Sequence, residues 1–156
     1  MTAFPDTSFL FALYRPQDNS AAARKHYEAM TEPVAVSGLL LYEFRQSMRF
    51  QVWLHAQNPK KGITANEADQ AIADLASNLA SGALQILPVD TADVLRVAER
   101  LSAACTKTGG HRAFDILHVA TALVLEAEEF ISFDGNQRKL AAAEGLKVKP
   151  SPTAAS

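Results

Sequence analysis

The sequence contains a single cysteine, Cys105, which excludes an internal disulfide and a cysteine-rich metal cluster. It also lacks long apolar stretches, since none approaches the roughly 20 residues that cross a bilayer. No basic segment followed by an apolar one opens the chain, so we expect no export signal. Neither charge predominates, because 15 basic and 17 acidic residues give a net charge of −2, unlike a general nucleic-acid binder. We therefore expect a cytoplasmic protein without a membrane segment.

Several common catalytic motifs are missing as well. The seven glycines form neither a dinucleotide-binding turn nor a phosphate-binding loop. No serine has the flanking glycines of a hydrolase nucleophile. The four histidines show no paired spacing of the kind that binds zinc in proteases. These absences weigh against nucleotide-binding enzymes, serine hydrolases and zinc proteases.

Short apolar runs alternate with helical patterns along the 156 residues, which is the length of one domain. Predicted strands cover Ala3–Pro5, Val34–Val36, 84–87, 130–133 and Lys147–Lys149. Predicted helices cover 8–14, 21–30, a segment from a Ser37 cap to 56, a Thr64-capped segment to 79, a Thr91-capped segment to 105, 113–126 and 137–144. This alternation predicts an α/β fold, a three-layer α/β/α sandwich around a mainly parallel sheet of four to five strands. We expect one domain over 1–149 and a disordered tail over 150–156.

Four carboxylates stand out by their positions. Asp6 and Asp134 each follow a predicted strand directly, Glu43 lies in an apolar stretch, and Asp115 lies in the first turn of an apolar helix. Ligands of parallel sheets bind beyond the carboxyl ends of the strands. Carboxylates that converge there would repel one another, and a hard divalent cation such as Mg²⁺ or Mn²⁺ would relieve that repulsion.

Each carboxylate also has a purely structural explanation. Asp6 suits the N-cap of the first helix, and Asp134 with Gly135 suits a turn. Glu43 suits the exposed edge of an amphipathic helix, and Asp115 suits a helix N-terminus, where the dipole favours acids. The single residues leave both explanations open, and the joint pattern is more specific.

Taken together, four segments resemble the motifs of the PIN domain. Residues 6–10 (Asp-Thr-Ser-Phe-Leu) are similar to its opening motif, and Glu43 to its second acid. Residues 112–122 resemble the helix with its third acid, and 130–134 the strand with its fourth. The resemblance extends over residues 3–149 and is greatest to the small VapC-type toxins of bacterial toxin–antitoxin pairs.

This resemblance implies an Mg²⁺-dependent endoribonuclease, with Mn²⁺ as a possible substitute. It implies that Asp6, Glu43, Asp115 and Asp134 are both the catalytic residues and the metal ligands. A water activated at such a site attacks the phosphodiester in line, and the family leaves a 5′-phosphate and a 3′-hydroxyl.

The resemblance implies supporting residues and partners too. Ser8 and Ser132 lie where the family places Ser or Thr beside the first and fourth acids, although Thr is commoner than Ser at the position of Ser132. Arg112 and His111 are candidates for binding the substrate. The expected partners are an RNA substrate, a cognate antitoxin protein and a second copy of the chain in a homodimer.

The sequence is also compatible with other functions. A non-toxin RNA-processing nuclease and a catalytically inactive RNA-binding module would share the fold. A phosphotransfer or receiver protein would also carry an aspartate after a strand, but Asp6 lacks the second acid that those motifs need. Phe50 and Trp53 on the long helix suit core or partner contacts, with base stacking as a further option.

Overall fold

Five short strands and seven helices make up residues 2–151, which are the residues described by the structure, a computed structural model. In chain order the elements are β1 (Ala3–Pro5), α1 (Thr7–Tyr14), α2 (Ser20–Glu28), β2 (Val34–Val36), α3 (Gly38–Gln57), α4 (Ala65–Ser81), β3 (Leu84–Ile86), α5 (Thr91–Gly109), α6 (Ala113–Val124), β4 (Glu129–Ile131), α7 (Gly135–Ala143) and β5 (Lys147–Lys149). The predicted α/β class is confirmed. The predicted tail falls mostly outside the described residues, because 152–156 lie beyond them, and the domain boundary at 149 stays a prediction.

The strands form two hydrogen-bonded ladders, and all of their pairings are parallel. One ladder has three strands in the order β1–β4–β5, and the other pairs β2 with β3. Cα atoms of β1 and β2 come within 8 Å of one another, so the two ladders lie side by side. The five strands match the expected number, but the hydrogen-bonded sheet in the centre is three strands wide.

The helices pack in two groups around one main core. α1 contacts α2, α3 and α4, whereas α6 contacts α5 and α7. Phe4, Phe44 and Phe130 are fully buried between these groups and the strands. Each such side chain stabilises the fold by about 1.5–3 kcal/mol through the apolar surface that it removes from water.

Helix caps confirm several predicted boundaries and correct others. The side chain of Ser37 caps α3, and Thr64 with Glu67 forms a complete capping box on α4. The N-cap of α5 is Asp90 rather than the predicted Thr91, because the Asp90 carboxylate accepts from two amides of the first turn. The predicted end of this helix at residue 105 is also wrong, since α5 continues to Gly109.

The segment between α3 and α4 folds back onto the last turns of α3. The amide of Ile63 donates to the carbonyl of Gln51 at 3.2 Å. Gly62 adopts φ +65°, and a Cβ there would lie 2.0 Å from the same carbonyl oxygen. A glycine is therefore required for this close approach.

Three aromatic residues lie exposed on α3. Tyr42, Phe50 and Trp53 are each at least half exposed, and the rings of Phe50 and Trp53 stack with centroids 5.4 Å apart. The core interpretation of Phe50 and Trp53 is therefore wrong. Across the described residues, none of the helices combines the length and apolarity that crossing a membrane requires.

Candidate active site

Asp6 lies at the junction of β1 and α1, where the parallel pairing of β1 with β4 places it near the end of β4. Its amide donates to the carbonyl of Ile131 at 3.0 Å, and its carboxylate caps α1 by accepting from the amide of Phe9 at 3.1 Å. The side chain is fully buried. Burial raises the pKa of Asp6 from 3.8 to about 6, against the opposing effect of hydrogen bonds from Ser132 and Ser8.

Two serine hydroxyls hold the Asp6 carboxylate in place. Ser8 donates to its Oδ1 and Ser132 to its Oδ2, both at 2.6 Å. Ser132 also accepts from the backbone amide of Asp134 at 2.9 Å, so one hydroxyl joins the carboxylate of Asp6 to the backbone of Asp134. Both serines therefore lie beside the acids that they are expected to support.

Ser132→Ala is expected to lower the free energy of unfolding by about 1–3 kcal/mol, because it leaves a buried carboxylate oxygen and a part-buried amide without a partner. Urea unfolding monitored by circular dichroism measures the loss. Ser81→Ala, at an exposed hydroxyl on α4, is the matched control and should leave the midpoint unchanged. An unchanged midpoint for Ser132→Ala would show that the hydroxyl does not bridge the two acids.

The third and fourth acids share a glutamine. Asp134 caps α7, and its Oδ1 accepts from the amide of Gln137 at 2.8 Å. The side chain of Gln137, which is buried, donates to Oδ1 of Asp115 at 3.2 Å. Asp115 itself is buried in the first turn of α6. Gln137 thus fixes the two carboxylates relative to each other.

Arg112 covers the same two carboxylates from the solvent side. Its Nε lies 3.0 Å from Oδ2 of Asp115 and its Nη2 lies 3.3 Å from Oδ1, which is a two-pronged ion pair. The same Nη2 is 4.0 Å from Oδ2 of Asp134. The hydrogen bond with Asp115 raises the pKa of Arg112 further above its already high value.

Glu43 approaches from α3 and contacts two residues beside the other acids. Its carboxylate accepts from the hydroxyl of Thr7, next to Asp6, and from Nε2 of His118, one turn beyond Asp115. Thr7 Oγ1 and His118 Nε2 are also 3.2 Å apart. Burial would raise the pKa of Glu43, but the hydrogen bond and charge of His118, together with Thr7, hold it below its usual value.

Ser132 and Gln137 thus connect three of the acids, and the fourth, Glu43, contacts the residues Thr7 and His118 that lie beside them. The catalytic and metal-binding roles of the four acids stay predictions. His111 is different, because its ring packs against Gly109, and its buried Nδ1 lacks a partner among the described residues. The structure shows no contact between His111 and the acids in that part of the chain. His111 therefore has less structural support as a substrate contact than Arg112.

Sequence reasoning missed three side chains of this site, namely Thr7, His118 and Gln137. His118 had the profile of an ordinary packed or surface histidine. The available signal was helical spacing, since His118 follows Asp115 by three residues and Gln137 follows Asp134 by three. His118 therefore lies on the same face of α6 as Asp115, and the amide of Gln137 lies where the N-cap Asp134 can accept from it.

The donors at this site fit a hard divalent cation. They are carboxylate and hydroxyl oxygens, which Mg²⁺ and Mn²⁺ prefer, and a cation would offset the burial of Asp6. In residues 2–151, however, no three His, Cys, Asp or Glu side chains are already grouped as metal ligands. Glu43 contacts His118 instead, and Asp115 contacts Arg112. The Arg112 fork occupies both oxygens of Asp115, whereas the contacts of Glu43 with Thr7 and His118 use Oε2 alone, so a metal at these acids would compete directly with Arg112.

Residues 3–143 match the family model described as PIN domain. No curated protein matches the sequence.

Several solved structures share the fold. VapC20 from Mycobacterium tuberculosis, described as a sarcin–ricin loop cleaving toxin, is 19% identical over 96% of this chain and 100% of its own, with a TM-score of 0.61. FitAcB from Neisseria gonorrhoeae is 19% identical over 94% of this chain and 96% of its own, with a TM-score of 0.61. VapBC2 from Rickettsia felis, bound to a promoter DNA fragment, is 13% identical over 96% of this chain and 98% of its own, with a TM-score of 0.63. At these identities the likeness shows a common fold.

Proposed function

The chain belongs to the PIN domain family, and from that premise we propose that it is a metal-dependent endoribonuclease acting as the toxin of a toxin–antitoxin pair. The observation that carries the proposal is the linked set of four acids, Asp6, Glu43, Asp115 and Asp134, at one edge of the strands. Structures of toxins and of toxin–antitoxin complexes are among those that share the fold, which supports the toxin role.

The four acids would hold Mg²⁺, with Mn²⁺ as a substitute. When bound, the cation would supply Lewis-acid chemistry by polarising the scissile phosphate and activating a water for in-line attack. Because water would be the nucleophile, no side chain of this site has to attack the phosphate. Ser8 and Ser132 fix Asp6, and Gln137 fixes Asp115.

Arg112 is the proposed contact for the substrate. Its side chain is exposed and lies beside Asp115 and Asp134, so it can reach a phosphate that approaches these acids. A guanidinium matches a phosphate through two parallel hydrogen bonds. His111 is retained as a second, weaker candidate.

Two sets of side chains support the proposed partners, the four acids for the antitoxin and exposed apolar residues for the homodimer. An arginine or lysine of an antitoxin could pair with the four acids, and the fork between Arg112 and Asp115 supports this, because it shows that the acids accept a guanidinium. For the proposed homodimer, the supporting observation is a set of exposed apolar side chains, namely Tyr42, Phe50, Trp53, Ile86 and Leu95. A cytoplasmic location is part of the same proposal.

Purified protein is expected to cleave structured RNA when Mg²⁺ is present and to stop when EDTA is added. Ribosomal RNA is the first substrate to test, since one protein of similar fold is a sarcin–ricin loop cleaving toxin. Sequencing of the fragment ends should find 5′-phosphates. Binding of RNA without cleavage would indicate the inactive binding module instead.

Expression of the chain alone is expected to arrest bacterial growth, and co-expression of a neighbouring antitoxin gene is expected to restore it. Growth curves and plating measure both effects. Asp115→Asn should be harmless without the antitoxin. If the wild-type chain is well expressed and harmless alone, the toxin role fails and the RNA-processing nuclease remains.

A further inference from the structure

We infer that Arg112 is a tethered cation that occupies the acid cluster of the metal-free protein and competes there with a divalent cation. The inference rests on the proposed metal-dependent function and adds a property of this chain's own side chains to it. It makes Arg112 a determinant of metal affinity, in addition to its proposed contact with the substrate.

The first support is the position of the guanidinium. It contacts both carboxylate oxygens of Asp115, at 3.0 and 3.3 Å, and lies 4.0 Å from Asp134. Bound in this way, it occupies both oxygens of Asp115 that a metal ion would use. In the described chain, the ion pairs of Asp115 and Asp134 are both formed with Arg112.

The second support is that Arg112 can leave at little cost. Its side chain is 77% exposed, against 7% for Asp115, so it lies between the acid and solvent. Arg112 is the N-cap residue of α6, but its side chain makes no capping hydrogen bond. After departure its donors would be solvated by water, and exposed ion pairs of this kind contribute little to stability.

Asp115 and Arg112 therefore differ in how strongly each depends on their ion pair. Asp115 is buried and needs a positive partner, whereas Arg112 is exposed and does not need Asp115. A divalent ion that reaches several carboxylates can replace the single charge of the guanidinium. The exchange lowers the apparent metal affinity by the free energy of the lost ion pair.

A structural role for Arg112 would have the opposite consequence. If the guanidinium served to orient Asp115 as a metal ligand, its removal would weaken metal binding. If it competes with the metal, its removal strengthens metal binding. The sign of the change in metal affinity separates the two roles without any measurement of catalysis.

The test is a titration of Mn²⁺ into the purified, metal-stripped full-length protein, by calorimetry at neutral pH and low salt. Arg112→Gln is expected to lower the Kd for Mn²⁺ by about three- to fivefold, the range set by an exposed ion pair. Arg112→Lys, which keeps the charge, should stay near the wild-type value. Arg100→Gln is the matched control, because Arg100 forms an equivalent fork on Glu144 at 3.3 and 2.7 Å, and it should leave the Kd unchanged.

An equal or higher Kd in Arg112→Gln, with wild-type protein binding Mn²⁺ normally, overturns the inference and leaves the proposed nuclease function standing. The same fall in Kd for Arg100→Gln would also overturn it, since the effect would then be one of net charge. If the wild-type protein itself binds no Mn²⁺, the metal-dependent function fails, and the inference fails with it.

Discussion

Asp115→Asn is expected to reduce Mg²⁺-dependent RNA cleavage by at least about a hundredfold. Residues that only position a metal ligand already cost about 10–100-fold when they are lost, so the loss of a proposed ligand should cost at least as much. The substitution removes one negative charge from the place where the scissile phosphate and its cation would meet. It leaves the other three acids untouched.

The variant is expected to fold. Asparagine has the shape of aspartate, and its one oxygen can still accept from Gln137 or from Arg112. Asp115 is buried, so replacing its charge by a neutral amide also removes a burial cost. A loss of cleavage in this variant would therefore report on chemistry rather than on unfolding.

Cleavage rates with a fixed RNA, measured beside circular dichroism spectra, provide the test. Asp93→Asn is the matched control, because Asp93 also lies in the first turn of a helix and pairs with an arginine three residues away, Arg96. It should retain full activity. Full activity in Asp115→Asn would remove Asp115 from the site and would contradict the metal-nuclease proposal.

The parts of the fold that local sequence controls were predictable. The side chains of Ser37 and Thr64 cap their helices as predicted, and the bounds of β1 and β2 follow the apolar runs. The position of Asp6 and Asp134 at one edge of the sheet was predictable as well, because ligands bind beyond the carboxyl ends of parallel strands. Each of these features depends on residues close together in the chain.

The errors arose where two local signals compete. Asp90 and Thr91 are both good N-caps, and the chain uses Asp90 because its carboxylate reaches two amides, at 2.8 and 3.1 Å. The pair Gly109–Gly110 signals a loop, yet α5 continues to Gly109. Gly110 adopts φ +65° and closes the helix by donating to the carbonyl of Thr106.

Contacts between distant segments were beyond the reach of sequence reasoning. His118 and Glu43 are 75 residues apart in the chain, and each alone is an ordinary helix residue. Phe50 and Trp53 are large and apolar, as core residues are, but α3 presents them to solvent. Which apolar residues of a long helix are covered depends on the packing of its neighbours.

The structural and functional explanations of the acids turn out to be compatible. Asp6 and Asp134 both cap helices through one oxygen, and Asp6 keeps a second oxygen that Ser132 orients. A capping bond fixes the carboxylate at a helix N-terminus without using all of its lone pairs. The preference of aspartate for the N-cap position thus also places these acids at the proposed active site.

Asp6→Asn is expected to stabilise the metal-free protein at pH 7 by about 2 kcal/mol. Asp6 has a pKa of about 6 in the fold against 3.8 otherwise, so between these pH values the folded state binds the proton more tightly. Wild-type stability should therefore fall as the pH rises from about 4 to about 6, by roughly 3 kcal/mol. Asparagine does not titrate, so Asp6→Asn avoids this loss of stability. The changed hydrogen bond with Ser132 costs about 1 kcal/mol, which leaves the net gain of about 2 kcal/mol at pH 7.

Burial is the main cause of this raised pKa, and Ser132, Ser8, the amide of Phe9 and the nearby His118 all oppose it. Urea unfolding in EDTA from pH 4 to pH 8 measures the effect. Near pH 4 the variant should be less stable than the wild type by about 1 kcal/mol, the cost of the changed hydrogen bond, and the order should reverse as the pH rises toward about 6.

Asp90→Asn is the control for that comparison, because Asp90 is also an aspartate N-cap but is exposed. Its stability should follow the wild-type curve at every pH, since Asp and Asn cap helices about equally well. Added Mg²⁺ should stabilise the wild-type protein and should stabilise Asp6→Asn less, because the variant lacks the charge that the cation would bind. If the free energies of unfolding of wild type and Asp6→Asn change in parallel between pH 4 and pH 8, ionisation of Asp6 does not destabilise the fold. The argument for a cation at this position would then lose its energetic basis.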